Sequence, residues 1–137
     1  MARILIVEDN EKNRKLFKFI ISSLGYEVLT ANDGKEGLRI AAEYLPALIL
    51  MDIKMPVMDG NVAMRALRAD EKTRRIPVIA VTAYAMKGDR ERFLAEGFAD
   101  YIAKPVEKGN FIKVLQKVLK EKKDGGDKKA EDSDSQR

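Results

Sequence analysis

Two residue types that carry much of enzyme chemistry are missing: the 137-residue chain has no cysteine and no histidine. Without cysteine there are no disulfides and no thiolate metal site. Without histidine there is no imidazole general base, no ordinary zinc site and no phosphohistidine carrier. Long hydrophobic runs are absent too. No stretch approaches the roughly 20 apolar residues that span a bilayer. Met1-Ala2-Arg3 leads straight into Ile4-Leu5-Ile6-Val7, too short for the core of a secretory leader. A cytoplasmic location, with no membrane partner, is the expectation.

The chain is 45% hydrophobic and 35% charged, the balance of a soluble domain with a core of its own. The net charge of +4 is uneven: residues 121–137 carry five Lys/Arg against six Asp/Glu, net −1, leaving +5 on the first 120. The bases are scattered among acids, with no recognition motif or aromatic-basic platform, so nucleic acid is not an expected partner.

What is present is an alternation of short apolar runs and helical stripes. The runs cover Arg3–Val7, Tyr26–Thr30, Ala47–Met51, Ile76–Val81 and Asp100–Ala103. Each reads as a strand, the second being less apolar and so nearer an edge. Between them fall helical patterns. The first, Asn13–Leu24, has Leu16, Phe17, Ile20, Ile21 and Leu24 as its stripe and Gly25 as its stop. The second has Leu38, Ala41, Ala42 and Leu45 and is ended by Pro46. The third opens at Gly60 with Val62, Ala63, Ala66 and Leu67 on one side. The fourth, about Met86–Glu96, is thinly apolar and heavily charged. The fifth carries Phe111, Val114, Leu115, Val118 and Leu119 at i, i+3, i+4, i+7 and i+8. Five strand–helix units predict a parallel sheet with helices on both faces, joined by right-handed crossovers. From residue 121 the composition cannot build a core, and 121–137 reads as a charged, disordered tail behind a domain of residues 1–120.

In such a sheet the binding crevice lies at the carboxyl ends of the strands. Those ends deliver Glu8 and Asp9, Asp52, Thr82, and Lys104. Taken singly, each is an ordinary loop residue; Asp52 alone is as well read as a turn cap, and Lys104 as a plain salt-bridge partner. Together, three converging acids repel: two unit charges about 4 Å apart cost about 4 kcal/mol at an effective dielectric of 20. A divalent cation resolves this, and an all-oxygen donor set favours Mg²⁺. Asp52 is then placed as a nucleophile forming an acyl phosphate, with Lys104 and the metal neutralising the phosphoryl group and Thr82 offering it a hydroxyl. A bare nucleotide is disfavoured, because the turn Val7-Glu8-Asp9-Asn10-Glu11 has three acids and no glycine.

ILIVEDN at 4–10, LILMDIKMPVMDG at 48–60, VIAVTAYAMKGD at 78–89 and DYIAKP at 100–105 closely resemble the receiver domain of two-component response regulators. The resemblance covers residues 3 to 120. It is nearest in look to single-domain cell-division regulators and to receivers of hybrid histidine kinases. It implies a flavodoxin-like α/β fold with strand order 2-1-3-4-5. Asp52 matches the phosphoacceptor for a histidine kinase or phosphotransfer protein. Glu8, Asp9, Asp52 and the Lys54 backbone carbonyl match the Mg²⁺ ligands. Thr82 and Lys104 match the switch hydroxyl and the family lysine, and Tyr101 matches the aromatic that turns inward with the hydroxyl. Lys104-Pro105 matches a cis peptide, and Lys54 and Tyr84 match positions that tune phosphoryl lifetime. A downstream protein target, a monomer or weak phosphorylation-dependent dimer, and no catalysis beyond self-phosphorylation and self-hydrolysis are likewise implied.

Alternatives stand beside this. Tyr101 also reads as an ordinary half-buried aromatic, and Met55, Met58 and Met86 as gap fillers. At the level of function, the alternatives are a receiver cut from a hybrid kinase, a Mg²⁺-dependent phosphohydrolase and a module that binds without phosphate. Turnover of external phosphate esters separates the second from a switch.

Overall fold

The computed structural model describes residues 2–55, 58–83 and 88–132, with side chains described through residue 121. Five strands alternate with five helices: β1 (Arg3–Val7), α1 (Glu11–Ser23), β2 (Glu27–Ala31), α2 (Gly34–Tyr44), β3 (Leu48–Asp52), α3 (Gly60–Ala69), β4 (Val78–Thr82), α4 (Asp89–Ala95), β5 (Asp100–Ala103) and α5 (Lys108–Asp132). All neighbouring strands pair in parallel, in the order β2-β1-β3-β4-β5. The expected architecture and order hold, and the less apolar β2 lies at an edge.

Side chains alternate across the sheet, which splits the core in two. Leu5, Val7, Ile49, Met51, Val78 and Ala80 face one side, where Ile40 and Ala41 of α2, Ala63, Met64 and Leu67 of α3, and Phe93 of α4 cover them. Ile4, Ile6, Leu48, Leu50, Ile79 and Val81 face the other, under Phe17, Ile20 and Ile21 of α1 and Phe111, Leu115 and Val118 of α5. Phe17 stacks on Phe111 with centroids 5.3 Å apart, fixing α1 against α5. β3 and β4 are buried along their whole length, as strands covered on both faces must be.

The helix starts are set by side-chain caps. Asn10, Asp33 and Asp59 each accept a hydrogen bond from the amide three residues on, Asn13, Glu36 and Val62. All three caps sit in turns leaving the carboxyl ends of strands, so they also fix the crevice rim. Close approach of α2 to β1 requires Gly37, where a Cβ would stand 2.8 Å from Val7 Cγ2.

Several stripe residues turn out differently. Leu16 (45% exposed), Leu45 (53%) and Val62 (41%) face solvent, and Met64 takes the core position on α3. Leu45 leaves the helix altogether, ending α2 in the left-handed region at φ 47. β4 begins at Val78, since Pro77 has no amide to pair; Ile76 still enters the core from the loop. α4 begins at Asp89 after Gly88, whose φ of 91 suits glycine. Tyr84 and Met86 lie outside the described residues. α5 runs to Asp132, so helical backbone continues past residue 120, while its last core residue is Val118; residues 133–137 lie outside the described residues. No helix among the described residues is long and apolar enough to cross a membrane.

Candidate functional site

Strand register brings the candidate residues to one level. Val7 is paired with Met51, which sets Glu8 beside Asp52, the last residue of β3. Thr82 is paired with Ala103, which sets Lys104 beside the end of β4. Backbone hydrogen bonds carry the ladder one residue beyond the strands: Glu8 N–H to Ala31 O (3.1 Å), Ile53 N–H to Val81 O (3.1 Å) and Lys104 N–H to Thr82 O (2.8 Å). The residues that follow the strand ends are thus as firmly placed as the strands. The Lys104-Pro105 peptide is cis.

At the centre, the Lys104 ammonium bridges two buried carboxylates. Its Nζ is 3.4 Å from Glu8 Oε1 and 3.3 Å from Asp52 Oδ2. Glu8 is 1% exposed and Asp52 4%. Asn10 N–H donates to Glu8 Oε2 at 3.2 Å, and Lys54 N–H to Asp52 Oδ1 at 3.3 Å. Asp9 is exposed, but it offers an oxygen to a cluster in which one carboxylate oxygen each of Glu8, Asp9 and Asp52 lies within 4.8 Å of the others. Glu8 Oε1 is buried with no hydrogen-bond partner, the neighbouring ammonium notwithstanding.

One lysine does not offset two acids out of water. Burial, and then the negative charge of Asp52, push the Glu8 carboxyl up to about 7. Burial also raises Asp52, against the pull of Lys104. The pocket is short of positive charge, and its orphaned oxygen and all-oxygen donors fit a hard divalent cation.

Thr82 is buried, at 2% exposure. With Ile53, Lys54, Asn61 and Phe93 it lines an adjoining depression of about 460 Å³. Tyr101 is half-buried on β5, its ring 5.8 Å from that of Phe93 on α4. Asp100, next to Tyr101 at the start of β5, is held by Arg90 of α4 (3.7 Å) and Lys117 of α5 (4.0 Å). Glu8, Asp9, Asp52 and Lys104 are therefore gathered in one pocket, with Thr82 and the Lys54 backbone at its edge and Tyr101 further along β5.

The sequence reading missed the residues that hold this pocket in shape. Arg14 Nη1 donates to the carbonyls of Glu8 (2.9 Å) and Asp9 (3.4 Å). Gly60 lets α3 meet the end of β3: a Cβ there would stand 2.8 Å from Asp52 O. Gly60 is legible in the sequence only as the opening of the third helix; Arg14, on the polar side of a helix, gives no signal.

Fold and pocket together define a class: a doubly wound α/β domain with an acidic crevice at the carboxyl ends of its strands that fits a divalent cation. Residues 4–116 match the response regulator receiver domain, and the chain belongs to that family. It is 47% identical over 116 residues to the polar-differentiation response regulator DivK of Brucella ovis, covering 85% of this chain and 94% of that one. Among solved structures, it resembles the receiver domain of the sensor histidine kinase PA1611 from Pseudomonas aeruginosa PAO1, which has a magnesium ion coordinated in its active site cleft. That match has 42% identity, a TM-score of 0.78, and covers 86% of this chain and 97% of the other. The chemotaxis protein CheY4 of Vibrio cholerae matches with a TM-score of 0.80 at 30% identity, over 86% and 98% of the two chains.

Proposed function

We propose that this chain is a phosphorylation-controlled switch in which Asp52 accepts a phosphoryl group from a histidine kinase or histidine phosphotransfer protein. The observation that carries this is the single lysine set between two buried carboxylates, Glu8 and Asp52, at 3.4 and 3.3 Å, with Asp9 at the rim. Glu8, Asp9, the Asp52 carboxylate and the Lys54 carbonyl would hold Mg²⁺, as the donor set and the magnesium in the Pseudomonas relative support. When bound, the ion supplies positive charge to the transferring oxygens.

An Asp52 carboxylate oxygen bonds to phosphorus as the P–N bond to the donor imidazole breaks. Lys104 is already within ion-pair distance of Asp52, so a small shift of its ammonium meets the new phosphoryl oxygens. Thr82 offers its hydroxyl from the end of β4, and Tyr101 follows inward. α4, β5 and α5 then present the surface that binds a downstream protein. Turning a 1:99 equilibrium into 99:1 takes about 5.5 kcal/mol. Two or three hydrogen bonds to a charged group, each about 1.5–3 kcal/mol, cover that. The chain's chemistry ends at its own phosphorylation and hydrolysis, and a soluble cytoplasmic regulator is the setting that fits. The same chemistry serves a free-standing regulator or a kinase-linked receiver.

The test is incubation with a small acyl phosphate donor and Mg²⁺, read by intact mass. The parent gains one phosphoryl group and Asp52→Asn gains none. Equal labelling of the two proteins would show the assignment to be wrong.

A further inference from the structure

We infer that Arg14 is a positioning residue for the acidic pair, holding the Glu8–Asp9 backbone so that both carboxylates stay free for a divalent cation. This rests on the reading that Glu8, Asp9 and Asp52 bind Mg²⁺. Arg14 sits near the start of α1, half-buried, against the turn that carries Glu8 and Asp9. A guanidinium so placed would ordinarily pair with one of them. Among the described residues it forms no ion pair at contact distance, although the exposed Glu11 carboxyl, held low chiefly by Lys15, also feels its charge. Its Nη1 donates instead to the carbonyls of Glu8 at 2.9 Å and Asp9 at 3.4 Å.

The turn is held at further points. Glu8 N–H is bonded to Ala31 O, and Asn10 N–H reaches back to Glu8 Oε2 while the Asn10 side chain caps α1. Arg14 is the contact in this set that addresses the carbonyls of both acids. It thereby orients two donors without consuming a donor oxygen. Groups that orient metal ligands in this way commonly change affinity by 10- to 100-fold when removed.

Charge and geometry make opposite demands here. As a nearby cation, Arg14 repels a metal ion, so removing its charge alone tightens binding. As a support for the turn, it keeps the ligands in place, so removing it loosens binding. Magnesium demands near-ideal octahedral geometry, whereas calcium tolerates irregular sites. A loosened turn therefore loses more affinity for Mg²⁺ than for Ca²⁺, while a pure charge change moves both in the same direction by similar amounts.

The experiment is calorimetric titration of the EDTA-treated full chain with MgCl₂ and CaCl₂, for the parent, Arg14→Met and Arg14→Lys. Melting in EDTA verifies that each variant is folded. The expected result for Arg14→Met is about tenfold weaker Mg²⁺ binding with a smaller loss for Ca²⁺, and Arg14→Lys in between. Unchanged or tighter Mg²⁺ binding in Arg14→Met, or equal losses for both ions, overturns the inference. If Arg14→Met does not fold, Arg14→Lys decides, and parent-like Mg²⁺ binding there overturns it. A parent that binds no Mg²⁺ removes the metal reading, and this inference with it. Binding by the parent alongside an unaffected variant removes only the role of Arg14.

Discussion

Replacing Glu8 with glutamine should make the metal-free protein more stable while depriving it of metal. The folded protein holds the Glu8 carboxyl near 7 instead of its ordinary 4.5. At pH 8 the group is ionised in both folded and unfolded chains, and the shift of about 2.5 units amounts to about 3 kcal/mol against the fold. Glu8→Gln keeps the shape and removes that charge. Lys104 keeps Asp52 at 3.3 Å, so no buried cation is stranded. One acceptor is lost, because Glu8 serves Asn10 N–H with Oε2 and faces Lys104 with Oε1, and an amide has a single oxygen. That costs about 1 kcal/mol. The net expectation in EDTA at pH 8 is a gain of about 2 kcal/mol, read by urea unfolding. The pH dependence has a definite sign. Between 4.5 and about 7 the folded chain retains a proton that the unfolded chain has released, so parent stability falls as pH rises through that window. Glu8→Gln lacks this slope. With Mg²⁺ at 100 times its dissociation constant the parent gains about 2.7 kcal/mol, and the variant, short of one anionic ligand, gains less. A Glu8→Gln protein less stable than the parent in EDTA at pH 8 would refute the reasoning. It would mean that Lys104 already compensates both acids.

Gly60→Ala places a Cβ 2.8 Å from Asp52 O and 2.9 Å from Ile53 Cα, both backbone atoms that cannot swing aside. We expect a loss of about 1–3 kcal/mol in urea unfolding together with slower phosphorylation, and parent-like values for both would refute the tight fit. Arg68→Met removes donors to the carbonyls of Arg74 (2.8 Å), Ile76 (3.1 Å) and Gly97 (3.2 Å), which tie α3 to the loop before β4 and to the end of α4. A cost of about 3 kcal/mol and faster hydrogen exchange at residues 95–99, with β1 still protected, is expected; exchange that rises equally everywhere would refute a local tie.

How much was legible follows from what each residue contacts. Leu48, Ile49, Leu50 and Met51 are buried on both faces, so the run itself announces a central strand, while Asp52 at its end points to the crevice only when read with the other strand ends. Strand order has no such local signature. It depends on which neighbours pair, and came only with the family resemblance. The stripe readings failed at Leu16 and Val62, where the apolar residue lies just outside the arc a helix buries against a sheet, and at Leu45, which lies past the end of α2. Arg14 and Arg68 act through long side chains on backbone carbonyls, and Asp100 is reached by the long side chains of Arg90 and Lys117 from other elements; neither periodicity nor composition registers such contacts.

The pocket is drawn from the carboxyl ends of the first, third, fourth and last strands, so no short stretch of the chain contains it. A nascent chain still missing its final βα unit has Glu8 and Asp52 but not the lysine that sits between them. Assembly of the ion-paired centre is thereby tied to completed synthesis, and under the function proposed above only finished molecules would count as receivers.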